Sequence, residues 1–209
     1  MIETTKEASA ILRQRTLNWL SEHVPQGRLE HILRVEQLSI ALAQFHNLEV
    51  TKAAQAGLMH DLAKYFKSHK LLQMARQAGV ALDPVDEMNP HLLHAEVSAI
   101  VARDEFEVTD SEILTAIANH TLGQPGMSPL SCVVFLADTL EPGRGDSPEL
   151  ETLRQLCYQD LDAAVWRTCD YTLKYLLERR WVIHPRALLT RNWFMQQALA
   201  KRPLPQVAG

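Results

Sequence analysis

The chain has 209 residues, of which 46% are hydrophobic, and its formal net charge is -4. This length and composition support a folded hydrophobic core and exclude an intrinsically disordered chain. The small acidic excess argues against binding to nucleic acid polymers, although a few local cations would suffice for a small anionic ligand.

Targeting and redox signals are weak throughout the sequence. The first ten residues carry charges and lack the apolar core of a signal peptide, and no apolar run approaches the ~18 residues that span a membrane. The three cysteines are scattered and form no CxxC pair, which argues against a zinc ribbon or a disulfide framework. We therefore expect a cytoplasmic protein that does not contact membranes.

Helical periodicity runs through nearly the whole N-terminal half, and no alternating strand pattern stands out. The apolar spacing predicts four helices in chain order, over residues 8–20, 28–45, 51–62 and 68–79. Thr51 is the predicted N-cap of the third helix. Pro84 and Pro90 then mark a segment that is predicted as a loop, because proline disrupts a helix interior.

The second half continues with helices. The spacing predicts them over residues 91–104, 109–120, 129–140, 149–156, 161–177 and 185–199. Ser128 and Pro129 form an N-cap and first-turn pair at the start of the helix that carries Asp138. The fold class is therefore all-α.

Six histidine and aspartate side chains fall on inward helix faces or at helix ends. They are His31, His60, Asp61, His94, His120 and Asp138. A single histidine on an apolar face is more often an ordinary core residue. Burying the whole set without partners would cost on the order of several kcal/mol per group. We therefore predict that the six converge inside one helical bundle around a cation.

The donor types indicate which cation fits. His31, His60, Asp61 and Asp138 form a mixed nitrogen and oxygen set, which suits iron or manganese with open water positions rather than a closed thiolate zinc site. His94 and His120 either bind a second metal or donate hydrogen bonds to phosphate. One or two ions therefore remain possible from the sequence.

The order of these residues resembles the HD-domain phosphohydrolase superfamily, and more closely its symmetrical bis(5'-nucleosyl)-tetraphosphatases. The most specific segments are His120-Thr-Leu-Gly-Gln-Pro-Gly-Met127 and Ala137-Asp-Thr-Leu-Glu-Pro-Gly-Arg144. The resemblance implies an HD-domain helical bundle over residues 28–145, with an N-terminal helix (1–27) packed on it, a C-terminal helical extension (146–200) and a frayed tail (201–209). It also implies cleavage of diadenosine tetraphosphate at its middle to give two ADP.

Several residues fit this chemistry as catalytic or phosphate-binding groups. Asp61 is placed to hold a water and take its proton. Lys64 offers a point charge to a phosphate, with a solvated helix-end lysine as the alternative. Arg28 and Arg144 are candidate phosphate ligands, and Arg144 has the stronger case because its planar fork lies in a Pro-Gly loop after Asp138.

The remaining candidates contact the substrate at its edges. Thr121 offers a hydroxyl and Gly123 a backbone N–H to the polyphosphate. The resemblance alone implies that Ile183 and His184 form a nucleobase edge.

Two other functions remain open from the sequence. One is a nucleotide phosphomonoesterase or cyclic-nucleotide phosphodiesterase that uses the same metal site. The other is a non-catalytic nucleotide-binding regulatory module, against which the intact ligand set argues. The expected partner is a small dinucleoside polyphosphate, and the sequence leaves open whether the protein forms a homodimer.

Overall fold

The computed structural model describes residues 2–201, with side chains from residue 7 onward. These residues form helices and no β-strand, which confirms the all-α prediction. Apart from Lys201, the predicted frayed tail lies outside the described residues. The α-helices are α1 (Ile2–His23), α2 (Gln26–Phe45), α3 (Val50–Met59), α4 (Ser68–Gln77), α5 (Pro84–Met88), α6 (His94–Phe106), α7 (Ser111–Asn119), α8 (Pro129–Leu140), α9 (Pro148–Cys157), α10 (Leu161–Glu178) and α11 (Pro185–Ala200).

Local capping signals account for most helix ends. Ser128 caps α8 by accepting a hydrogen bond from the backbone N–H of Ser131, and Pro129 is the first helical residue, as predicted. The prediction of Thr51 as the cap of α3 is wrong. Glu49 caps this helix instead, because its carboxylate accepts a hydrogen bond from the N–H of Thr51.

The segment predicted as a loop around Pro84 and Pro90 is partly helical. Asp83 and Asp86 form a capping box that starts the short α5, and a 3-10 helix follows over Pro90–Leu93. Each proline stands in the first turn of its helix, where its missing N–H costs nothing. Neither proline lies inside a helix, as predicted, but each begins a short helix in a segment predicted as a loop.

α3 also ends earlier than predicted, so that His60 and Asp61 lie in the turn that follows it. The His60 ring nitrogen Nδ1 donates to the carbonyl of Gly57 at 2.7 Å. In a continuing helix, that carbonyl would accept from the N–H of residue 61. Gly57 also lets α3 approach α2, since a Cβ there would lie 3.0 Å from the Cα of Glu36.

α8 is the helix around which the molecule is built. Leu130 and Val134 belong to a hydrophobic cluster with residues of α1 to α4, α6 and α7, whereas Val133 and Leu136 belong to a second cluster with α9, α10 and α11. Residues 130–137 are buried without exception. Asp138 follows these residues in the last turn of α8, where the two clusters meet. None of the described helices is long and apolar enough to cross a membrane.

Candidate metal centre and adjoining cleft

The six predicted histidine and aspartate residues come together at one point. They are delivered by five places in the fold, namely α2 (His31), the turn after α3 (His60 and Asp61), the start of α6 (His94), the end of α7 (His120) and the last turn of α8 (Asp138). All are buried except Asp138, which is partly exposed to the neighbouring cleft. The structure therefore brings all six side chains into one cluster.

Asp61 lies at the centre of this donor cluster. Its Oδ2 atom is 3.4 Å from His60 Nε2 and 4.0 Å from His31 Nε2. Its Oδ1 atom is 3.4 Å from His94 Nε2 and 3.7 Å from His120 Nε2. One carboxylate thus faces two pairs of imidazoles, with one oxygen for each pair.

Asp138 lies beside one of these pairs, His31 and His60. Its Oδ1 atom is 3.1 Å from His31 Nε2 and 3.8 Å from His60 Nε2. Two groups of three residues have ligand atoms that all lie within 4.8 Å of one another: His31 with His60 and Asp138, and His60 with Asp61 and His120. This spacing is what a shared metal ion requires.

Backbone carbonyls orient three of the imidazoles. In each case Nδ1 donates to the carbonyl three residues earlier, which directs Nε2 toward the centre. The pairs are His60 with Gly57 at 2.7 Å, His94 with His91 at 2.6 Å and His120 with Ile117 at 2.8 Å. Each of these histidines is therefore held as the tautomer with an unprotonated Nε2, which is the form that binds a metal.

His31 is oriented by a carboxylate instead. Its Nδ1 donates to Oε1 of Glu141 at 3.0 Å, and Glu141 also accepts from the Arg34 guanidinium and the Gly143 N–H. Burial raises the pKa of Glu141, but the hydrogen bonds from Arg34 and His31 outweigh it and lower the pKa. The sequence analysis missed Glu141 and Arg34. The available signal was an acidic residue three positions after Asp138, at the end of an apolar helix.

The chemistry of the donor set fits a divalent cation. Three buried atoms of the cluster lack a hydrogen-bond partner: His31 Nε2, His60 Nε2 and Asp61 Oδ1. Each unsatisfied buried polar atom costs about 1–3 kcal/mol, and a coordinated cation would remove that cost. All three point to where the ligand atoms converge.

A cation needs ionised carboxylates and neutral imidazoles, and the pKa shifts of Asp138 and His94 are in those directions. Burial lowers the pKa of His60, but the adjacent Asp61 carboxylate outweighs it and raises that pKa, so a cation would bind there in competition with a proton. Burial raises the pKa of Asp138, but the adjacent imidazoles of His31 and His60 hold it well below its usual value. Burial and the positive charge of Lys64 lower the pKa of His94 to about 4. At neutral pH the Nε2 atom of His94 is thus unprotonated.

The two predicted phosphate-binding arginines contact the carboxylates of the cluster. Arg28 Nη1 donates to Asp61 Oδ2 at 3.0 Å. Arg144 donates through Nη2 to Asp138 Oδ1 at 2.7 Å and through Nε to the Asp138 carbonyl at 2.9 Å. Both guanidinium groups therefore lie at the edge of the donor cluster.

Lys64 and Thr121 contact His94. The Lys64 ammonium lies 3.0 Å from His94 Nε2, and the Thr121 hydroxyl lies 3.2 Å from the same atom. Both residues also line the cleft beside the cluster. A lysine in this position is not the solvated helix-end residue that the sequence left as an alternative.

Gly123 differs from its predicted role. Its N–H donates to the carbonyl of Asn119 at 2.9 Å and so is not free for phosphate. Its φ is +63°, and a Cβ there would lie 2.5 Å from Thr190 Cγ2. Gly123 therefore serves the turn after α7 and its close packing on α11.

The structure places only one of the two predicted nucleobase contacts, His184, in the cleft. His184 lines the cleft and caps α11, where its Nδ1 accepts from the N–H of Arg186 at 3.0 Å. Its Nε2 lies 3.3 Å from Asp86 Oδ1. The half-buried Ile183 is not among the residues that line the cleft.

A cleft of about 910 Å³ opens beside the donor cluster. Small-molecule sites usually measure about 300–1,000 Å³, so this volume suits a large ligand. Lys64, Arg144 and Arg180 line it, and Asp138 is the one acidic residue among the described residues of its wall. The wall thus carries positive charge that matches an anionic ligand.

The family model for the HD domain matches residues 28–143, more than half of the chain. This chain belongs to the HD-domain family. The symmetrical bis(5'-nucleosyl)-tetraphosphatase of Bacillus subtilis is 31% identical over 88% of this chain and 97% of that protein. The enzyme of the same name from Halalkalibacterium halodurans is 31% identical over 86% and 95%. A crystal structure of a predicted HD superfamily hydrolase involved in NAD metabolism, from Clostridium acetobutylicum, covers 88% of this HD-domain chain and 97% of its own, with 30% identity and a TM-score of 0.84.

Proposed function

We propose that this HD-domain chain is a hydrolase that cleaves diadenosine tetraphosphate symmetrically to two ADP. One observation carries the proposal: a buried metal-donor cluster with unsatisfied ligand atoms opens onto a cationic cleft of about 910 Å³. Relatives of 31% identity that carry the name symmetrical bis(5'-nucleosyl)-tetraphosphatase support it over most of the chain.

His31, His60, Asp61 and Asp138 would hold the divalent cation, and the mixed set favours iron, with manganese as the alternative. When bound, such an ion lowers the pKa of a water and polarises a phosphoryl oxygen. His94 and His120, with Oδ1 of Asp61, supply either a second cation position or hydrogen bonds to phosphate. Asp61 Oδ1 is unsatisfied and buried, which supports the second cation.

Asp61 also has the catalytic role of holding the attacking water. Burial raises its pKa, but the neighbouring His60 and Lys64 hold it well below its usual value, so the carboxylate stays ionised. An ionised carboxylate at this point accepts a hydrogen bond from the water and orients it toward phosphorus.

Cations around the cluster would stabilise the negative charge that develops during the reaction. Lys64 and Arg144 line the cleft next to Asp138, and Arg28 lies behind Asp61. The leaving ADP is stable as an anion at neutral pH, because the second pKa of a phosphate is about 6. Lys64 therefore needs to donate only a hydrogen bond and charge to the leaving phosphate, without giving up its proton.

Substrate contacts extend to the Thr121 hydroxyl and to His184 in the cleft wall. With one ADP unit at the cluster, its terminal phosphorus is attacked and the other ADP leaves. A site that placed the first phosphorus there would release AMP and ATP instead.

A substrate panel tests the proposal against the other HD-type reactions. The protein is assayed with iron and with manganese on diadenosine tetraphosphate, AMP, ADP and cyclic AMP. We expect turnover of the dinucleotide at a rate far above the other three. Comparable rates on AMP would favour a phosphomonoesterase, and rates on cyclic AMP a phosphodiesterase, and either would overturn the assigned substrate.

A further inference from the structure

One part of the cleft wall is not explained by metal binding. Tyr175 of α10, together with Arg180 and Trp181 of the turn that follows, lines the same cleft as Asp138 and Lys64. We call these three residues the aromatic wall. None of them is a metal donor in either of the groups with metal-ligand spacing.

Trp181 presents a large aromatic surface to solvent in this wall. It is 58% exposed, and its ring meets that of Tyr175 edge-on at 5.8 Å between centroids. The guanidinium carbon of Arg179 lies 5.3 Å from the Tyr175 centroid on the same helix end. Tyr175 thus packs against one side of the indole, and the rest of the ring leaves apolar surface in water, which is unfavourable unless a ligand covers it.

Arg180 occupies a backbone position that favours glycine. Its φ is +56°, and it ends α10 with two hydrogen bonds, from Arg180 N to Leu177 O at 3.0 Å and from Trp181 N to Leu176 O at 2.9 Å. Glycine is the preferred residue at this helix-ending position. An arginine is strained at this position, and a function of its side chain would explain why arginine stands there. Arg180 lines the cleft.

We propose that the aromatic wall is a nucleotide subsite, in which the Trp181 indole stacks on a nucleobase and Arg180 binds a phosphate oxygen. The inference rests on the proposed function, because a dinucleotide has two nucleosides and the donor cluster recognises phosphate alone. Aromatic stacking accepts any base, and a guanidinium matches phosphate with two parallel donors. Among the described residues that line the cleft, the one acidic residue is Asp138 of the donor cluster, and the aromatic wall itself carries no carboxylate that would repel such a ligand.

The test of Trp181 separates nucleoside binding from phosphate binding. The kcat/KM for diadenosine tetraphosphate is measured beside the inhibition constant of inorganic tripolyphosphate, which has no nucleoside. We expect Trp181→Ala to lower kcat/KM roughly ten- to hundredfold and to change the inhibition constant less than about twofold. Trp181→Phe should recover most of the loss. Phe45→Ala is the matched control, since Phe45 is 55% exposed, packs edge-on against Tyr158 and lies outside the cleft lining.

The test of Arg180 separates function from backbone strain. Glu107 ends α6 with the same left-handed conformation, at φ +58°, and its side chain is 83% exposed and lies outside the cleft lining. We expect Arg180→Gly and Glu107→Gly both to raise Tm by roughly 2–4 °C, as strain is relieved. Only Arg180→Gly should lower kcat/KM, by roughly ten- to hundredfold.

The proposed function and the nucleotide subsite are overturned by different results. The proposed function fails if the wild-type protein leaves diadenosine tetraphosphate uncleaved. The subsite fails if the wild-type protein cleaves it and either Trp181→Ala or Arg180→Gly cleaves it equally well. It also fails if Trp181→Ala weakens tripolyphosphate inhibition as much as it lowers kcat/KM.

Discussion

Replacing Glu141 with glutamine tests whether this carboxylate holds His31 in place for metal binding. Glu141 is 1% exposed and accepts from His31, Arg34 and the Gly143 N–H. The amide of glutamine keeps one acceptor oxygen but turns an NH₂ group toward one of these donors. Loss of a charge-assisted hydrogen bond costs about 1.5–3 kcal/mol. Outer partners of metal-binding histidines typically contribute about ten- to hundredfold in metal affinity, so we expect a loss of about 1.4–2.7 kcal/mol in binding.

Metal affinity is measured by titrating the metal-free protein with manganese against a competing chelator, with Tm followed in parallel. Glu36 provides the matched control, because it is 3% exposed and is paired with Arg13 through two hydrogen bonds of 2.7 and 2.8 Å. Glu36→Gln should lower Tm and leave metal affinity unchanged. Glu141 does not hold His31 for metal binding if Glu141→Gln binds manganese like the wild-type protein, or if Glu36→Gln weakens binding as much.

Four further outcomes follow from the same geometry. Asp138→Ala should lose bound metal and activity together, and full metal occupancy by elemental analysis would remove Asp138 from the ligand set. Arg144→Ala should keep metal and fold but lower kcat/KM roughly ten- to hundredfold, whereas an unchanged value would make Arg144 an ordinary loop residue. Gly57→Ala should lower Tm, because its Cβ would lie 3.0 Å from the Glu36 backbone and overpacking costs about 1–3 kcal/mol; an unchanged Tm would contradict this close packing. Removing the metal with a chelator should also lower Tm, since a ligand at 100 times its Kd stabilises by about 2.7 kcal/mol, and an identical Tm would count against a buried metal site.

Helix positions were predictable where the signal is local. The Ser128-Pro129 start of α8 depends on a cap and a proline that act within one turn. The predictions for Thr51 and for the segment around Pro84 failed because short-range alternatives compete. A glutamate two residues earlier caps α3, and an Asp83 capping box makes a five-residue helix stable enough to form.

The donor cluster was predictable because its six residues combine a family-like order with inward helix faces. The partners of His31 were not, since the contact with Glu141 joins residues 110 positions apart and depends on how α2 packs against the end of α8. Gly123 shows the opposite case, because the sequence predicts an N–H available to phosphate whereas the turn after α7 uses that N–H. The aromatic wall likewise arises only where α10 packs beside α8.

The position of bond cleavage in diadenosine tetraphosphate distinguishes symmetrical hydrolysis from asymmetrical hydrolysis. The metal-loaded protein is allowed to hydrolyse diadenosine tetraphosphate in oxygen-18 water, and the nucleotides are separated by chromatography and weighed by mass spectrometry. The proposed site predicts ADP as the sole nucleotide product, with one labelled oxygen on one of the two ADP molecules from each substrate. AMP together with ATP, labelled on either, would contradict symmetrical cleavage even if the metal centre is assigned correctly.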